Sequence, residues 1–251
     1  MRSDTGPKAR GISSAVSEFA IQSDPETLAN GAKNGTKGDQ VVSALRAYIA
    51  GGEIGPGEKI SLRKLAAALD VSVMPVRNAV ARLQSDGVLD VEPGRAVRVR
   101  KMTADQFREL TAIRLEIEGF AAYHAALRRK RSDLKTVSEL SAAFEKLAID
   151  TSKPATEASR VNMQFHFAVY RAANMPMLLD IIERLWLKAG PVVFHYIHLE
   201  RFPWPTNAGI ELHKLAVEAM RDKDGEAARA AIAKDIQMAS DRLLASDIFD
   251  K

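Results

Sequence analysis

The sequence predicts a mainly α-helical protein in which a small N-terminal domain precedes an all-α antiparallel helical bundle. Amphipathic helical patterns cover most of residues 104–245. Two short helical patterns joined by a tight break lie within residues 62–87, and two short alternating segments follow them. Apolar side chains that recur every three or four residues are typical of helices, and strict alternation is typical of strands.

Length and composition set the first limits. A chain of 251 residues is long enough for two domains, each with its own core. The absence of cysteine excludes disulfides, thiolate metal sites and cysteine nucleophiles. The N-terminus lacks the apolar segment of a secretory signal, and no run of 18 apolar residues occurs. We therefore expect a cytoplasmic protein with no membrane partner.

The chain before residue 61 predicts an arm and one helix. Residues 1–36 have few large apolar side chains and are expected to form a flexible N-terminal arm. Gln40–Ala50 has a helical pattern that ends at two glycines. Residues 53–60 are expected to form a turn. The inward-facing side chains of the helix are Val41, Leu45, Tyr48 and Ile49.

Two short helices follow. The first begins after Ser61, and the second begins after Ser72, with Pro75 in its first turn, where the missing N–H costs little. Both serines are expected to cap these helices through their hydroxyls. Such a pair is typical of a helix-turn-helix, whose second helix enters the DNA major groove. Arg77 and Asn78 point away from its apolar face, which consists of Val76, Ala79, Val80 and Leu83.

A basic hairpin follows Gly87. Val88–Glu92 alternates, Pro93-Gly94 is a turn signal, and Arg95–Lys101 alternates again, which predicts a two-stranded wing. An ordinary helical hairpin is the alternative for residues 62–87, but the caps, the wing and the charge favour a winged helix-turn-helix over residues 37–101. That segment carries 11 basic and 7 acidic residues, as DNA phosphates require. The predicted inward side chains are Val97 and Val99, and the outward ones are Arg98 and Arg100.

Residues 102–251 carry 21 basic and 21 acidic side chains and show no alternating pattern. Thr103 and Gln106 have the spacing of a capping box that begins the first helix. An antiparallel bundle is the simplest arrangement of these helices. The predicted helices are 104–130, 133–149, 155–173, 177–199 (bent at Gly190-Pro191), 208–222 and 225–245.

The N-terminal domain resembles the GntR family of bacterial transcription regulators. The residues that carry the resemblance are Gly52, Pro56-Gly57, Val71-Ser72, Pro75-Val76-Arg77, Ala79, Arg82-Leu83 and Gly87. The family usually has Arg-Thr where this chain has Val73-Met74, and an arginine there reads a guanine edge whereas valine or methionine cannot. The DNA-binding residues that the resemblance implies are Ser61, Arg63, Ser72, Val73, Met74, Pro75, Arg77, Gly94 and Arg95.

The second domain resembles the helical FCD effector domain of the FadR subfamily. Three separated segments carry the resemblance: Arg114–Glu118, Asn162–His166 followed by Asn174, and His213 followed by Ala219 and Asp224. The resemblance implies that residues 102–251 bind a small carboxylate effector and form a homodimer. A symmetric dimer would place two winged helices on the half-sites of a palindromic operator.

A polar cluster in this domain is a candidate metal site. Asn162 and His166 share one helix face, and Asp235 falls within an apolar stripe, where a carboxylate needs a partner. With His213 they could hold a divalent transition metal such as Zn, Ni, Mn or Fe. Members of the resembled family use one aspartate and three histidines, so here Asn162 replaces the aspartate and Asp235 the last histidine. The alternative is a metal-free pocket in which Asp235 pairs with a protonated histidine or an arginine.

Three further residues are candidate effector contacts. Arg114 has the planar fork that clamps a carboxylate, although an ion pair with a glutamate of another helix is an equal alternative. His195 and His198 lie one turn apart and are expected either to line the same cavity or to be partly exposed and solvated.

These features favour a ligand-responsive DNA-binding regulator that is not an enzyme. The alternative from another class is a metal-dependent enzyme that uses His166, His213 and Asp235, since two histidines and a carboxylate can activate oxygen on iron. No spare acid, base or nucleophile with a defined partner accompanies that set. A constitutive architectural DNA binder would leave the polar cluster of the second domain unexplained.

Overall fold

The computed structural model describes residues 36–91, 96–150, 152–198, 207–246 and 248–249, apart from the side chains of His195, Tyr196 and His198. The predicted arm therefore lies outside the described residues except at its last position. The chain forms two compact units. Of the described residues, the first unit contains 36–48 and those within Lys59–Arg98, and the second contains Ile49–Glu58 and those from Val99 onward.

The N-terminal segment contains a helix-turn-helix and a small sheet, as predicted. Its elements are α1 (Lys37–Ala50), β1 (Lys59–Ser61), α2 (Leu62–Ala68), α3 (Val73–Ser85), β2 (Leu89–Val91) and β3 (Ala96–Val99). Between α2 and α3 the chain turns through Asp70, whose φ of 52° lies in the left-handed region that aspartate tolerates. The inward faces predicted for α1 and α3 are buried: Val41, Leu45, Tyr48, Ile49, Val76, Ala79, Val80 and Leu83.

The two serine caps behave differently. The Ser61 hydroxyl accepts a hydrogen bond from the backbone N–H of Lys64 at 3.2 Å, so this predicted cap is confirmed. Ser72 occupies the N-cap position of α3 but makes no side-chain capping bond, so the prediction that its hydroxyl caps the helix is wrong. Pro75, the third residue of α3, has no N–H, so it cannot donate the hydrogen bond that a capping hydroxyl would accept.

The sheet has three strands, so the prediction of a two-stranded wing was incomplete. Its order is β1-β3-β2, and β1 runs antiparallel to β3 with Ile60 opposite Val97. Lys59 and Ile60 were expected to be part of a turn, because a strand of three residues is too short for alternation to be recognised. The predicted inward valines, Val97 and Val99, are buried. The tip of the wing, residues 92–95, lies outside the described residues.

The C-terminal unit is built from long helices, as predicted. They are α4 (Ala104–Arg128), α5 (Arg131–Ile149), α6 (Ala155–Ala172), α7 (Pro176–His198), α8 (Asn207–Asp222) and α9 (Gly225–Leu244). The capping box that begins α4 is confirmed, because the Thr103 hydroxyl accepts from the Gln106 N–H and the Gln106 side chain accepts from the Thr103 N–H. Helix α7 continues through Pro191. Within the described part of the chain, no helix has the length and apolar character needed to cross a membrane.

Helix α6 carries two of the candidate site residues, Asn162 and His166. It packs against α4, α5 and α7, while α9 packs along α4 and α8. Its buried aromatic side chains are Phe165, Phe167 and Tyr170. Asn162, His166 and Tyr170 are each four residues apart, so they share one face of α6. The core therefore fixes the polar face of this helix.

Candidate functional site

The outward surface of the helix-turn-helix presents basic and apolar side chains. Arg63 on α2 and Arg77 on α3 are exposed, and neither makes an ion pair with a described residue. Met74, in the first turn of α3, is 62 % exposed. Ser61 and Ser72 are also exposed, and Val73 and Pro75 are half-buried. The other two predicted DNA contacts, Gly94 and Arg95, lie outside the described residues.

The helical unit contains a partly open cavity of about 40 Å³. Four of the predicted residues line it: Arg114, Asn162, His166 and Asp235. Aromatic side chains of Phe107, Trp186 and Phe194 form much of the remaining wall. A water needs roughly 10–15 Å³ of such space, so the cavity accommodates a few water-sized groups. It suits a small polar ligand or an ion with its bound oxygens.

His166 is buried and has a partner at each ring nitrogen. Its Nε2 lies 3.1 Å from Oδ2 of Asp235, and its Nδ1 lies 3.1 Å from the hydroxyl of Tyr170. One ligand atom each from His166, His213 and Asp235 lie within 4.8 Å of one another. The structure thus brings together the two histidines and the carboxylate that the sequence selected, from α6, α8 and α9.

His213 is 1 % exposed, yet neither of its ring nitrogens has a hydrogen-bond partner among the described residues. Its ring stacks on Phe165 with centroids 3.8 Å apart and meets the His166 ring edge-on at 5.4 Å. Burial, with a smaller effect of neighbouring His166, lowers the pKa of His213 to about 3 even though Asp235 opposes the shift. The imidazole is therefore a neutral donor at ordinary pH. A buried polar group without a partner costs about 1–3 kcal/mol.

Asp235 is the carboxylate of the cluster, and its side chain is 14 % exposed. Burial by itself raises the pKa of this group, but the hydrogen bond and charge of His166, with His213 and Arg114, outweigh it and lower the pKa overall. Asp235 is therefore ionised in the folded protein. The contact with His166 is also the one expected if Asp235 pairs with a protonated histidine and no metal is bound.

Arg114 pairs with Glu118, one turn later on the same helix, α4. Its Nε lies 2.5 Å and its Nη2 3.4 Å from the two carboxylate oxygens. The expected alternative of an ion pair between helices was wrong, because the i, i+4 spacing brings these two side chains together within one helix. Burial lowers the pKa of Arg114, but the Glu118 charge more than compensates and raises it overall. Only part of the guanidinium is left to face the cavity.

Sequence reasoning did not identify Glu118, Tyr170 and Trp186 as parts of the site. Glu118 is fully buried and accepts hydrogen bonds from the Tyr170 hydroxyl at 2.5 Å and from Trp186 Nε1 at 2.8 Å. Burial, reinforced by Glu118, raises the pKa of Tyr170 well above its ordinary value. Glu118 could have been found from the sequence, because the segment Arg114–Glu118 is part of the resemblance to the FCD domain. Nothing in the sequence pointed to Tyr170 or Trp186. The side chains of His195 and His198 lie outside the described residues.

Both parts of the chain match models of known protein families. Residues 37–99 match the model of the bacterial regulatory proteins of the gntR family, and residues 109–238 match the FCD domain. The chain therefore belongs to the GntR family of transcription regulators and carries an FCD domain. It is a DNA-binding transcription regulator, and such regulators are not enzymes, which removes the metal-dependent enzyme as an alternative.

Individual relatives lead to the same conclusion. The chain is 34 % identical over 199 residues to the HTH-type transcriptional regulator McbR of Escherichia coli K12, covering 79 % of this chain and 88 % of McbR. The structure of E. coli McbR/YncC superposes with a TM-score of 0.75 at 32 % identity, covering 83 % of this chain and 97 % of that one. A GntR regulator from Rhodococcus sp. RHA1 gives a TM-score of 0.64 at 25 % identity, with 84 % and 98 % coverage. The predicted mainly α fold with a winged helix-turn-helix is thus confirmed.

Proposed function

We propose that this regulator binds its operator under the control of a divalent transition metal and a small carboxylate effector in the helical domain. The metal ligands would be His166, His213 and Asp235, with Asn162 as a fourth donor. The observation that carries the proposal is His213, whose two ring nitrogens are buried and have no hydrogen-bond partner among the described residues. A native protein rarely leaves such groups unpaired unless water, an ion or a ligand satisfies them.

The donor set fits such a metal. Two imidazoles and one carboxylate suit Zn, Ni, Mn and Fe. Two ligand atoms 3.1 Å apart, as in His166 and Asp235, can occupy adjacent corners around an ion with bonds of about 2.0–2.2 Å. Asn162 offers only a neutral amide oxygen, so we expect weaker affinity than an aspartate would give. Once bound, the metal would supply positive charge that attracts a carboxylate.

The cavity beside these ligands supports a small effector. Its volume of about 40 Å³ leaves room for a compact acid rather than a large ligand. Arg114 lines the cavity but already pairs with Glu118, so it would add one or two N–H donors to an effector carboxylate rather than a full bidentate clamp. Asn162 would supply a further polar contact.

The DNA contacts follow from the exposed face of the helix-turn-helix. Arg63 and Arg77 are free to reach base edges or phosphates, and Ser61 and Ser72 are exposed beside them. Recognition helices contact bases mainly through their N-terminal residues, which here are Val73, Met74 and Arg77. We also assign contacts to Gly94 and Arg95 in the wing, on the basis of the family resemblance.

We propose further that the protein is a homodimer that binds a palindromic operator. Support comes from a row of exposed apolar side chains on α4, which we call the α4 stripe: Ile113, Phe120 and Leu127. They are spaced at seven-residue intervals, so they stay on one helix face over about 21 Å. Such a row can pack against the same row of a second copy related by a two-fold axis. A palindromic operator has the same two-fold symmetry.

The decisive experiment separates the two sites with paired variants. His166→Ala should lose metal, measured by elemental analysis and calorimetric titration with Zn²⁺ and Ni²⁺, and should keep basal binding to an operator obtained by selection from random DNA. Arg77→Ala should keep metal binding and lose operator binding. A lost base contact costs roughly 1–3 kcal/mol in each half-site, and the substitution leaves the helical domain unchanged.

Two results would overturn the proposal. If the wild-type protein neither contains metal nor binds it in titration, the metal-free alternative holds, in which Asp235 pairs with His166. A His166→Ala variant that responds to metal and to small organic acids like wild type would place the regulatory site elsewhere in the molecule.

A further inference from the structure

The second compact unit contains another cavity, larger than the one beside His166. Its volume is about 210 Å³, against about 40 Å³ for the smaller cavity. Its walls include Met102, Val192, Ile248 and Phe249. An apolar cavity of about 150 Å³ accommodates a benzene molecule. The larger cavity therefore has room for a six-membered ring, and the smaller one does not.

A pair of phenylalanine rings lies between the two cavities. Phe107 lines the smaller cavity, and Phe249 lines the larger one. Their ring centroids are 5.1 Å apart, which is a direct aromatic contact. Phe107 on α4 is buried, whereas Phe249 lies beyond the end of α9 and is half-buried. The two rings therefore form a wall that both cavities share.

Helix α7 brings the two cavities together at a second place. Val193 lines the smaller cavity, and its neighbour Val192 lines the larger one. Successive residues of a helix point about 100° apart, so a single turn of α7 faces both cavities. The cavities are thus adjacent, and the Phe107–Phe249 pair is the part of their boundary made of side chains that can rotate.

We propose that Phe249 is a positioning residue: it holds the Phe107 ring against the smaller cavity and so limits the effector to a short aliphatic acid. Phe249 does not line the smaller cavity itself, so it acts through Phe107. Without the Phe249 ring, Phe107 turns into the vacated space and the two cavities join. An acid that carries an aromatic ring then fits, with its carboxylate near Arg114. This inference rests on the effector site proposed above and defines the size of its ligand.

The first test compares acetate and benzoate as probes. Their binding to full-length protein is measured by calorimetry in the presence of Zn²⁺. We expect wild type to bind acetate more tightly than benzoate. In Phe249→Ala we expect benzoate to bind about tenfold or more tightly than it binds wild type, since one methylene in an apolar pocket already changes discrimination by that factor. Acetate affinity should change little.

Two control variants separate the ring pair from a general loss of packing. Phe249→Tyr keeps an aromatic ring at this position and should keep the wild-type preference for acetate. Ile248→Ala removes an apolar side chain from the wall of the larger cavity and leaves both phenylalanine rings in place. It should also keep the wild-type preference.

The second test needs neither metal nor carboxylate. Trp186 is buried and lines the smaller cavity. Trp204, the other tryptophan of the chain, lies outside the described residues and is replaced by phenylalanine in every protein compared. The probe is nitrobenzene, a neutral aromatic quencher that fits the larger cavity. It should shorten the fluorescence lifetime of Trp186 much more in Phe249→Ala than in the protein that retains Phe249.

A folded Phe249→Ala with unchanged benzoate affinity, or with unchanged quenching by nitrobenzene, would overturn the proposal. Wild type that binds benzoate as tightly as acetate would do the same, and this result needs no variant to fold. Wild type that binds neither acid nor Zn²⁺ would refute the proposed function. The nitrobenzene measurement would then still decide whether Phe249 keeps the two cavities apart.

Discussion

His213 shows what burial does to a single residue. It is neutral in the folded protein because its pKa falls to about 3, whereas the ordinary value of 6.5 applies once the chain unfolds. Between these two pH values the unfolded state binds the extra proton, so stability falls as the pH drops below 6.5. Each pH unit costs up to about 1.36 kcal/mol, which gives about 2 kcal/mol between pH 8 and pH 5.

We therefore expect His213→Phe to be less sensitive to acid than wild type. Phenylalanine retains the stacking on Phe165 and cannot take up a proton. Urea unfolding at pH 8, 6.5 and 5, with chelator present, should show that the variant loses about 2 kcal/mol less than wild type over this range. The lowered pKa of Asp235 acts only below 3.8 and stays outside this window. Identical pH dependence in both proteins would mean that His213 is not buried as a neutral ring.

Met74 gives a second prediction at the residue scale. A methionine that is 62 % exposed in the first turn of a recognition helix has no role in the core, and the thymine methyl is the apolar group that the major groove offers. Replacing each operator thymine in turn by uracil removes only that methyl. At one position in each half-site, replacing that single thymine should weaken wild-type binding about fourfold, since burying one methyl group is worth about 0.8 kcal/mol.

Met74→Ala is the control for this contact. The shortened side chain should make binding insensitive to the same thymine-to-uracil change while other positions keep their preferences. Wild-type binding that tolerates uracil at every position would show that Met74 does not reach a base.

At the scale of one element, the α4 stripe predicts how the protein associates. Phe120→Lys places a charge in the middle of the stripe, and we expect the proposed dimer to become a monomer in light scattering at micromolar concentration. A lysine would have to be desolvated in the interface, which costs more than the apolar contact stabilises. Ile149→Lys is the matched control because Ile149 is also an exposed apolar residue, 67 % exposed, at the end of a different helix. A Phe120→Lys dimer as stable as wild type would place the interface elsewhere.

For the whole molecule, the proposed switch is a coupling of two equilibria. Metal or effector can change operator affinity only if it binds the DNA-competent and the DNA-incompetent states of the protein with different affinities. The resulting change in operator affinity is typically 5- to 150-fold. The coupling is reciprocal, so saturating operator should change Zn²⁺ affinity by the same factor that Zn²⁺ changes operator affinity. Calorimetry and fluorescence anisotropy measure the two factors. A factor of one in a protein that binds Zn²⁺ would indicate a structural metal, and Asp235→Ala should abolish any coupling.

The sequence by itself determined most of what depends on local pattern, with the Ser72 cap as an exception. Apolar periodicity and capping residues located the helices, because a helix is stabilised by neighbours three and four residues away. The Ser61 cap and the Thr103 box follow from such local bonds. Asn162 and His166 could be paired on one face because a helix repeats every 3.6 residues. His213 and Asp235 joined them through the family resemblance and through the anomaly of a carboxylate in an apolar stripe.

Only the tertiary structure decided which distant groups meet. Strand β1 is defined by its partner β3, about 37 residues away, and has too few residues to show alternation. Tyr170 and Trp186 reach the Glu118 carboxylate from 52 and 68 residues away. That the His213 nitrogens have no partner in the part of the chain that the structure describes is likewise visible only once the chain is packed. Burial and hydrogen-bond satisfaction are properties of the packed chain, so no local pattern encodes them.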